Sequence, residues 1–161
     1  MTGKKYGNKI KFGEEQIIAF EEAKQALANC TDLFAPNYEK PFILRTDSSE
    51  NCIAGVLSQE GEKGEYPIMF LSSKLSGAML NYTILEKESW AVIWCLRKVD
   101  HIVWGSKIHL FVDNSPLFYT IDAKPSSGKL MRWAIALSKY DIDMHYIAGN
   151  KNTVADALSR I

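Results

Sequence analysis

The chain has 161 residues, enough for one domain with a substantial hydrophobic core and short for two. Hydrophobic residues make up 47% of it and charged residues 24%, which excludes a disordered chain, and no apolar run reaches the roughly 20 residues that cross a bilayer. The 19 basic residues balance the 19 acidic ones, so the chain lacks the strong positive charge that typifies many nucleic-acid-binding domains.

The first predicted element is an amphipathic helix over residues 14–29, where apolar side chains recur at helical spacing until CTDLFAPNYEKP breaks the pattern. Three strands follow over residues 42–47, 52–59 and 67–73, joined by short turns rich in Ser, Asn, Gly and Glu. Connections this short predict an antiparallel three-stranded meander.

The longest helical pattern covers residues 82–100 and precedes a strand over residues 108–113. A helix between two strands predicts a crossover that returns the chain to the same sheet. The remaining predicted elements are a short helix from Ser115 and Pro116, a helix over 129–140, a strand over 142–147 and a last helix capped by Asn152. This order predicts an α/β fold.

Glu88 lies in the middle of the apolar face of the long helix. At about 100° per residue, seven apolar side chains fall within roughly 80° of it: Ile84, Leu85, Ala91, Val92, Cys95, Leu96 and Val99. Glu86 falls about 160° away, where a solvated acid is expected. A carboxylate on a core face costs several kcal/mol unless it is paired, protonated or bound to a metal. A buried salt bridge to Lys or Arg is one explanation and a metal is another.

Asp47 and Asp113 each close an apolar strand, in FILRTD and IHLFVD. Ligand sites of α/β sheets gather beyond the carboxyl ends of strands, although an acid there can simply begin a turn, which is the commoner role for either residue alone. The combination with Glu88 favours a shared site. Three converging carboxylates need a cation, and oxygen ligands suit Mg²⁺ or Mn²⁺ better than Zn²⁺.

Other residue types do not indicate a rival chemistry. The three cysteines have neither CxxC spacing nor a nearby histidine, so we expect reduced, buried side chains: Cys30, Cys52 and Cys95. The three histidines likewise lack the sequence spacing of metal ligands: His101, His109 and His145. The amino-terminal residues lack the apolar core of a signal peptide, so we expect an intracellular, cytoplasmic protein.

Four segments, FILRTDSS, NYTILEKESWAVIWCLRK, FVDN and NTVADALSR, resemble in order and spacing the ribonuclease H domain of reverse transcriptases from gypsy-type LTR retrotransposons. The segment FEEAKQALANCTDLFAPNYEKPF is similar to the link between polymerase and nuclease. The resemblance implies a helix and linker over residues 1–40 and a ribonuclease H-like domain over residues 41–161. It also implies a five-stranded mixed sheet, its first three strands antiparallel, flanked by helices.

The resemblance implies four catalytic acids that bind two Mg²⁺ ions, with Mn²⁺ as a substitute: Asp47, Glu88, Asp113 and Asp156. The implied reaction is hydrolysis of the RNA strand of RNA/DNA hybrids, by in-line attack of water, during reverse transcription. From the helical pattern alone, Asp156 lies off the apolar face of its helix and is expected to be a solvated acid.

The resemblance implies two partners, an RNA/DNA hybrid and the polymerase portion of a reverse transcriptase. Four residues near the acids are expected to contact the hybrid: Ser48, Ser49, Asn81 and Tyr82. Two departures from the family pattern stand out. Asn114 replaces the histidine that commonly follows the fourth-strand acid, and the helix over 129–140 carries few cations for gripping substrate.

Two alternatives remain open at this point. The domain could be a domesticated or structural module that keeps the fold for protein interaction without hydrolysis. It could also act on another nucleic acid, because integrases and junction resolvases share the fold implied by the resemblance.

Overall fold

The computed structural model describes residues 13–29, 33–62, 64–113, 128–147 and 152–159. The chain divides into two compact units, residues 1–32 and residues 33–161. Helix α1 (Glu14–Asn29) forms the first unit as the sequence predicts, and all other elements belong to the second. Cys30, Asn114 and the short helix predicted from Ser115 and Pro116 lie outside the described residues.

A five-stranded mixed sheet forms the centre of the second unit. Its strands are β1 (Phe42–Ser48), β2 (Cys52–Gly61), β3 (Gly64–Lys74), β4 (Lys107–Val112) and β5 (Asp141–Tyr146). They lie in the order β3-β2-β1-β4-β5. The first three strands pair antiparallel, whereas β4 runs parallel to β1 and β5 runs parallel to β4. The predicted meander and the predicted crossover are therefore confirmed.

The helices described in this unit are α2 (Ile84–Val103), α3 (Gly128–Leu137) and α4 (Thr153–Ser159), and a 3₁₀ helix (Gly77–Asn81) precedes α2. A capping box fixes the start of α2: Thr83 Oγ1 accepts from the backbone N–H of Glu86, whose carboxylate accepts from the Thr83 N–H at 2.9 Å.

Among the helices described, each is too short or too polar to span a membrane.

Helix α2 packs on the sheet through the face that carries Glu88. Alternate residues of β1 and β4 are fully buried beneath it, which follows from the two-residue repeat of a strand. The apolar residues of α2 that surround Glu88 are nearly all buried, as the helical pattern predicts. Leu85 is half-buried, and Ile84, the first residue of the helix, is 75% exposed.

Strand β3 begins at Gly64, three residues before the predicted start, and includes Pro67. The proline is accommodated because β3 is an outer strand, where one side of the backbone needs no sheet hydrogen bonds. The pairing register with β2 also shifts between Leu57 and Ser58, and Ser58 pairs with Pro67. A proline inside the segment hid the first part of this strand from sequence analysis.

Part of the predicted linker packs on the sheet. The buried Gln59 side chain donates to the carbonyls of Asn37 at 2.7 Å and Lys40 at 3.0 Å, and accepts from the Asn37 N–H at 2.8 Å. Upstream, the Phe34 N–H donates to the Pro67 carbonyl at 3.2 Å. The domain boundary between residues 40 and 41 stays a prediction.

We expect Gly55→Ala to lower the free energy of unfolding by about 1–3 kcal/mol, the usual cost of overpacking a core. A Cβ at Gly55 would lie 2.5 Å from the Cys95 Sγ and 3.3 Å from the Arg45 carbonyl oxygen. Urea unfolding measures the loss, and Gly128→Ala is the matched control because a Cβ there meets open space. Adding Cys95→Ala should recover part of the loss; an unchanged urea midpoint in Gly55→Ala would contradict the close contact.

Candidate metal centre

Three carboxylates converge at the carboxyl ends of β1 and β4. One oxygen from each of Asp47, Glu88 and Asp113 lies within 4.8 Å of the other two. Asp47 and Asp113 meet because the strands that lead to them run parallel and side by side. Glu88 reaches them from the second turn of α2. Asp47 and Glu88 are buried and Asp113 is half-buried, so the cluster opens on the side of Asp113.

Two helices hold the end of β1 from opposite faces. Neighbouring residues of a strand point to opposite sides of the sheet. On one side, Ser48 Oγ donates to Glu88 Oε1 at 2.6 Å; on the other, Ser159 Oγ of α4 donates to Asp47 Oδ2. The positions of both buried carboxylates are thus fixed by side chains as well as by the backbone.

The environment of Glu88 strongly perturbs its carboxyl group. It is 4% exposed, and its Oε2 is buried without a hydrogen-bond partner among the described residues. Burial raises its pKa to about 8; the charges of Asp113 and Asp47 act in the same direction, and the Ser48 hydrogen bond opposes them. Within the described part of the chain Glu88 forms no ion pair with Lys or Arg, which removes the salt-bridge explanation there.

The donor set fits a hard divalent cation. All three groups are carboxylates, and oxygen-only ligation is what Mg²⁺ and Mn²⁺ prefer. The buried Glu88 Oε2 is also an acceptor that a cation would satisfy. A cation would further offset the repulsion among three acids held this closely.

Helix α4 packs on the sheet through polar contacts that its apolar pattern does not predict. Asn152, just before the helix, donates from Nδ2 to the Thr46 carbonyl at 3.0 Å, and Ser159 contacts Asp47 as described above. Ala155 is fully buried between these residues, whereas Val154 is 43% exposed. The apolar Val154 therefore lies off the buried face, because two hydrogen-bonding side chains determine which face turns inward.

Comparison of the sequence with known protein families identifies the family of this chain. Residues 37–140 match the model of the RNase H-like domain found in reverse transcriptase, and this range contains all three clustered acids. The chain belongs to this family. The resemblance stated from the sequence motifs is thereby confirmed.

The relatives of this RNase H-like domain are polyproteins of mobile elements. The chain is 40% identical over 147 residues to the retrovirus-related Pol polyprotein from transposon 297 of Drosophila melanogaster, covering 91% of this chain and 14% of that protein. It is 35% identical over 153 residues to the Pol polyprotein from transposon gypsy of the same organism, covering 94% and 14%. The chain thus spans about a seventh of the length of these relatives.

A solved structure shows the same fold. The foamy viral protease-reverse transcriptase dRH in complex with double-stranded DNA superposes with a TM-score of 0.68 at 21% identity, over 88% of this chain and 27% of that one. At this level of sequence identity the comparison shows that the folds are alike and does not show that the activities are. The chemistry must be argued from the residues of the RNase H-like domain itself.

The fourth predicted acid of the RNase H-like domain, Asp156, lies in α4 one turn before Ser159. Its side chain is outside the described atoms, so its place in the metal centre stays a prediction. Residues three apart are neighbours on a helix surface. The contact of Ser159 with Asp47 therefore brings this part of α4 to the acid cluster. Sequence analysis missed Ser159 because a hydroxyl gives no signal in a hydrophobic pattern.

The two serines predicted to bind substrate have partners within the RNase H-like domain. Ser48 donates to Glu88, as described above. Ser49 Oγ donates to the Ser159 carbonyl at 2.6 Å and accepts from the Cys52 N–H at 3.0 Å. Ser48 therefore holds one of the clustered acids, and Ser49 holds the end of α4 that contacts another. The contact of both serines with substrate stays a prediction.

Asn81 and Tyr82, the other two predicted substrate contacts, lie just before α2. Asn81 is exposed at the end of the 3₁₀ helix, and the half-buried Tyr82 ring lies 3.8 Å from the Lys129 ammonium. Lys129 also donates to Glu86 Oε1 at 2.7 Å, so one of the few cations of α3 is held beside Tyr82. The role of both residues in binding stays a prediction.

Proposed function

We propose that this RNase H-like domain hydrolyses the RNA strand of RNA/DNA hybrids in a reaction that depends on divalent metal ions, as part of the reverse transcriptase of a retroelement. One observation carries the proposal: three carboxylates converge in a member of the RNase H-like family, and one of them has a buried oxygen without a partner among the described residues. A domain kept only as a scaffold has no need for this repulsive arrangement.

Asp47, Glu88 and Asp113 would hold the metal, together with Asp156 as the sequence resemblance implies. Two bound Mg²⁺ ions would stabilise charge on the attacking and leaving oxygens of a phosphodiester. Because Glu88 has a pKa of about 8, it carries a proton at neutral pH in the metal-free protein, and that proton leaves when a cation binds. Metal affinity should therefore increase from pH 6 to pH 8.

The protein's own side chains prepare the centre. The Ser48 hydroxyl fixes Glu88 Oε1 and leaves Oε2 without a partner among the described residues, while the Ser159 hydroxyl fixes Asp47. The half-buried Asp113 is the acid that a phosphodiester can approach from solvent. Fixed carboxylates need little reorganisation when charge develops in the reaction, which is how a prearranged site lowers its barrier.

Substrate recognition would rest on the shape of the hybrid and on its 2′-hydroxyls. Ser48 has donated its only proton to Glu88, yet its oxygen can still accept one from a 2′-hydroxyl of the RNA strand. Ser49 both donates and accepts within the domain, so it is the weaker candidate of the two. The chain has a net charge of zero, so we propose that the polymerase, reached through residues 1–40, supplies most of the affinity.

Substrate competition tests this function. At low ionic strength with Mg²⁺, the domain should cut a labelled RNA strand when it is paired with DNA, and leave the same RNA alone when it is single-stranded. Cleavage of double-stranded DNA in preference to the hybrid would instead support a resolvase-like activity. Cleavage of neither substrate, with no Mg²⁺ binding by calorimetry, would support the non-hydrolytic scaffold.

A further inference from the structure

A second cluster of ligand-type side chains lies on the sheet, away from the three acids. His109 is on β4, and Asp143 and His145 are on β5. The parallel register pairs His109 with Asp143 and Phe111 with His145. Because alternate residues of a strand share a face, all three side chains point to the same side of the sheet. The histidines are 36 positions apart, so their sequence spacing does not reveal the cluster.

The distances within this cluster match those between ligands of one metal ion. His109 Nδ1 lies 3.1 Å from His145 Nε2, and Asp143 Oδ2 lies 3.5 Å and 3.4 Å from these two nitrogens. Zinc binds imidazole nitrogen and carboxylate oxygen at about 2.0–2.2 Å in tetrahedral geometry, so two of its ligands lie about 3.3–3.5 Å apart. The three atoms already form a triangle of the size of one face of such a tetrahedron.

We propose that His109, Asp143 and His145 bind a Zn²⁺ ion, with the fourth position left to solvent. Two imidazoles and one carboxylate suit zinc far better than Mg²⁺, whereas the three carboxylates at the strand ends suit Mg²⁺. The two sites would therefore select different metals. His109 precedes Asp113 by four residues on one extended stretch, which separates the sites by about 13 Å.

The ligand side chains are accessible and one of them is held in place. The side chains of His109, His145 and Asp143 are 29%, 38% and 47% exposed, so an ion can enter directly from water. The Phe111 ring stacks on the His145 imidazole with centroids 4.9 Å apart, and the Arg45 guanidinium covers Phe111 at 4.3 Å. Arg45 is itself paired with Glu65 at 2.7 Å, which offsets its charge near the proposed cation.

The position of the site gives the ion a structural consequence. Strand β5 lies at one edge of the sheet formed by the described residues, next to β4. Zinc would join these two strands through their side chains, in addition to the backbone hydrogen bonds. Binding to the folded state alone raises the thermal midpoint, and this effect grows with zinc concentration.

Calorimetry and thermal unfolding test the proposal on the full chain. With Mg²⁺ in excess to saturate the acids, wild type should bind one Zn²⁺ and show a higher thermal midpoint. His145→Ala and His109→Ala should lose both effects, whereas the exposed His101→Ala and the acid-centre variant Asp47→Asn should keep them. Co²⁺ in place of Zn²⁺ should give the visible absorption of a nitrogen-ligated site in wild type and not in His145→Ala.

The proposal is overturned if wild type binds no zinc, if both histidine variants bind it as wild type does, or if Asp47→Asn abolishes binding instead. Asp143→Asn provides a second test should a histidine variant fail to fold, because it removes one ligand charge from a partly exposed position. It should weaken zinc binding by about tenfold or more if the carboxylate is a ligand. Unchanged affinity in Asp143→Asn would contradict the three-ligand site.

Discussion

Asp47→Asn is expected to reduce cleavage of the RNA strand by more than about 100-fold, since even indirect partners of a metal ligand often contribute 10- to 100-fold. The domain should nevertheless remain folded. Asn still offers an oxygen that accepts from the Ser159 hydroxyl, and the change removes a negative charge from a cluster of three carboxyl groups that lie within 4.8 Å of one another. The thermal midpoint of the metal-free variant should therefore equal or exceed that of wild type. Initial cleavage rates and thermal unfolding of the same preparation measure both effects.

Asp141→Asn is the matched control, because it removes one negative charge from an exposed position on β5. It should cleave at the wild-type rate. The turn interpretation of Asp47 predicts a different result. If Asp47 only forms a turn, Asp47→Asn would lower the thermal midpoint while cleavage per folded molecule stayed the same.

Glu88→Gln is expected to change the pH dependence of stability in the metal-free protein. The pKa of Glu88 is about 8 in the folded state and near 4.5 in the unfolded chain, so its protonated form stabilises the fold. This contribution is complete below pH 4.5 and is lost as the pH rises to 8. Between these limits wild type should lose several kcal/mol of unfolding free energy through this one group, whereas Glu88→Gln should not.

Urea unfolding in EDTA at four pH values from 5.5 to 8.5 measures the free energy of unfolding of wild type and of Glu88→Gln. The contributions of the other titrating groups cancel when the two values at each pH are subtracted. Glu86→Gln is the control, because Gln also completes the capping box and the residue lies on the other side of the helix. It should keep the wild-type slope. Parallel slopes for wild type and Glu88→Gln would show that Glu88 is already ionised in the folded protein.

The convergence of the acids could be predicted from sequence because each depends on a simple repeat. Glu88 lies on a helical face made by residues three and four apart, and Asp47 and Asp113 end strands that a helical crossover makes parallel. The antiparallel meander and the crossover follow from the same kind of pattern, whereas the family was inferred from the resemblance of four sequence motifs. None of these inferences required knowledge of side-chain hydrogen bonds.

Contacts that depend on register and on single hydroxyl groups could not be predicted. The His109 and His145 rings meet because β4 and β5 pair in one particular register, which no local pattern specifies. Ser159 reaches Asp47 because α4 turns a polar face inward and leaves the apolar Val154 exposed. The histidine contact and the orientation of α4 both depend on tertiary packing. In α4, hydrogen bonds outweigh the weak hydrophobic preference of one apolar side chain.

The neighbouring glutamates of α2 provide the most direct test of the proposed metal centre. Glu88 is buried among the acids, whereas Glu86 caps the helix and pairs with Lys129. The measurement is the rate of RNA-strand cleavage over a Mg²⁺ titration for wild type, Glu88→Gln and Glu86→Gln. We predict Mg²⁺-dependent cleavage by wild type and Glu86→Gln and its loss in Glu88→Gln. Cleavage by Glu88→Gln with the wild-type dependence on Mg²⁺ would contradict the proposed centre.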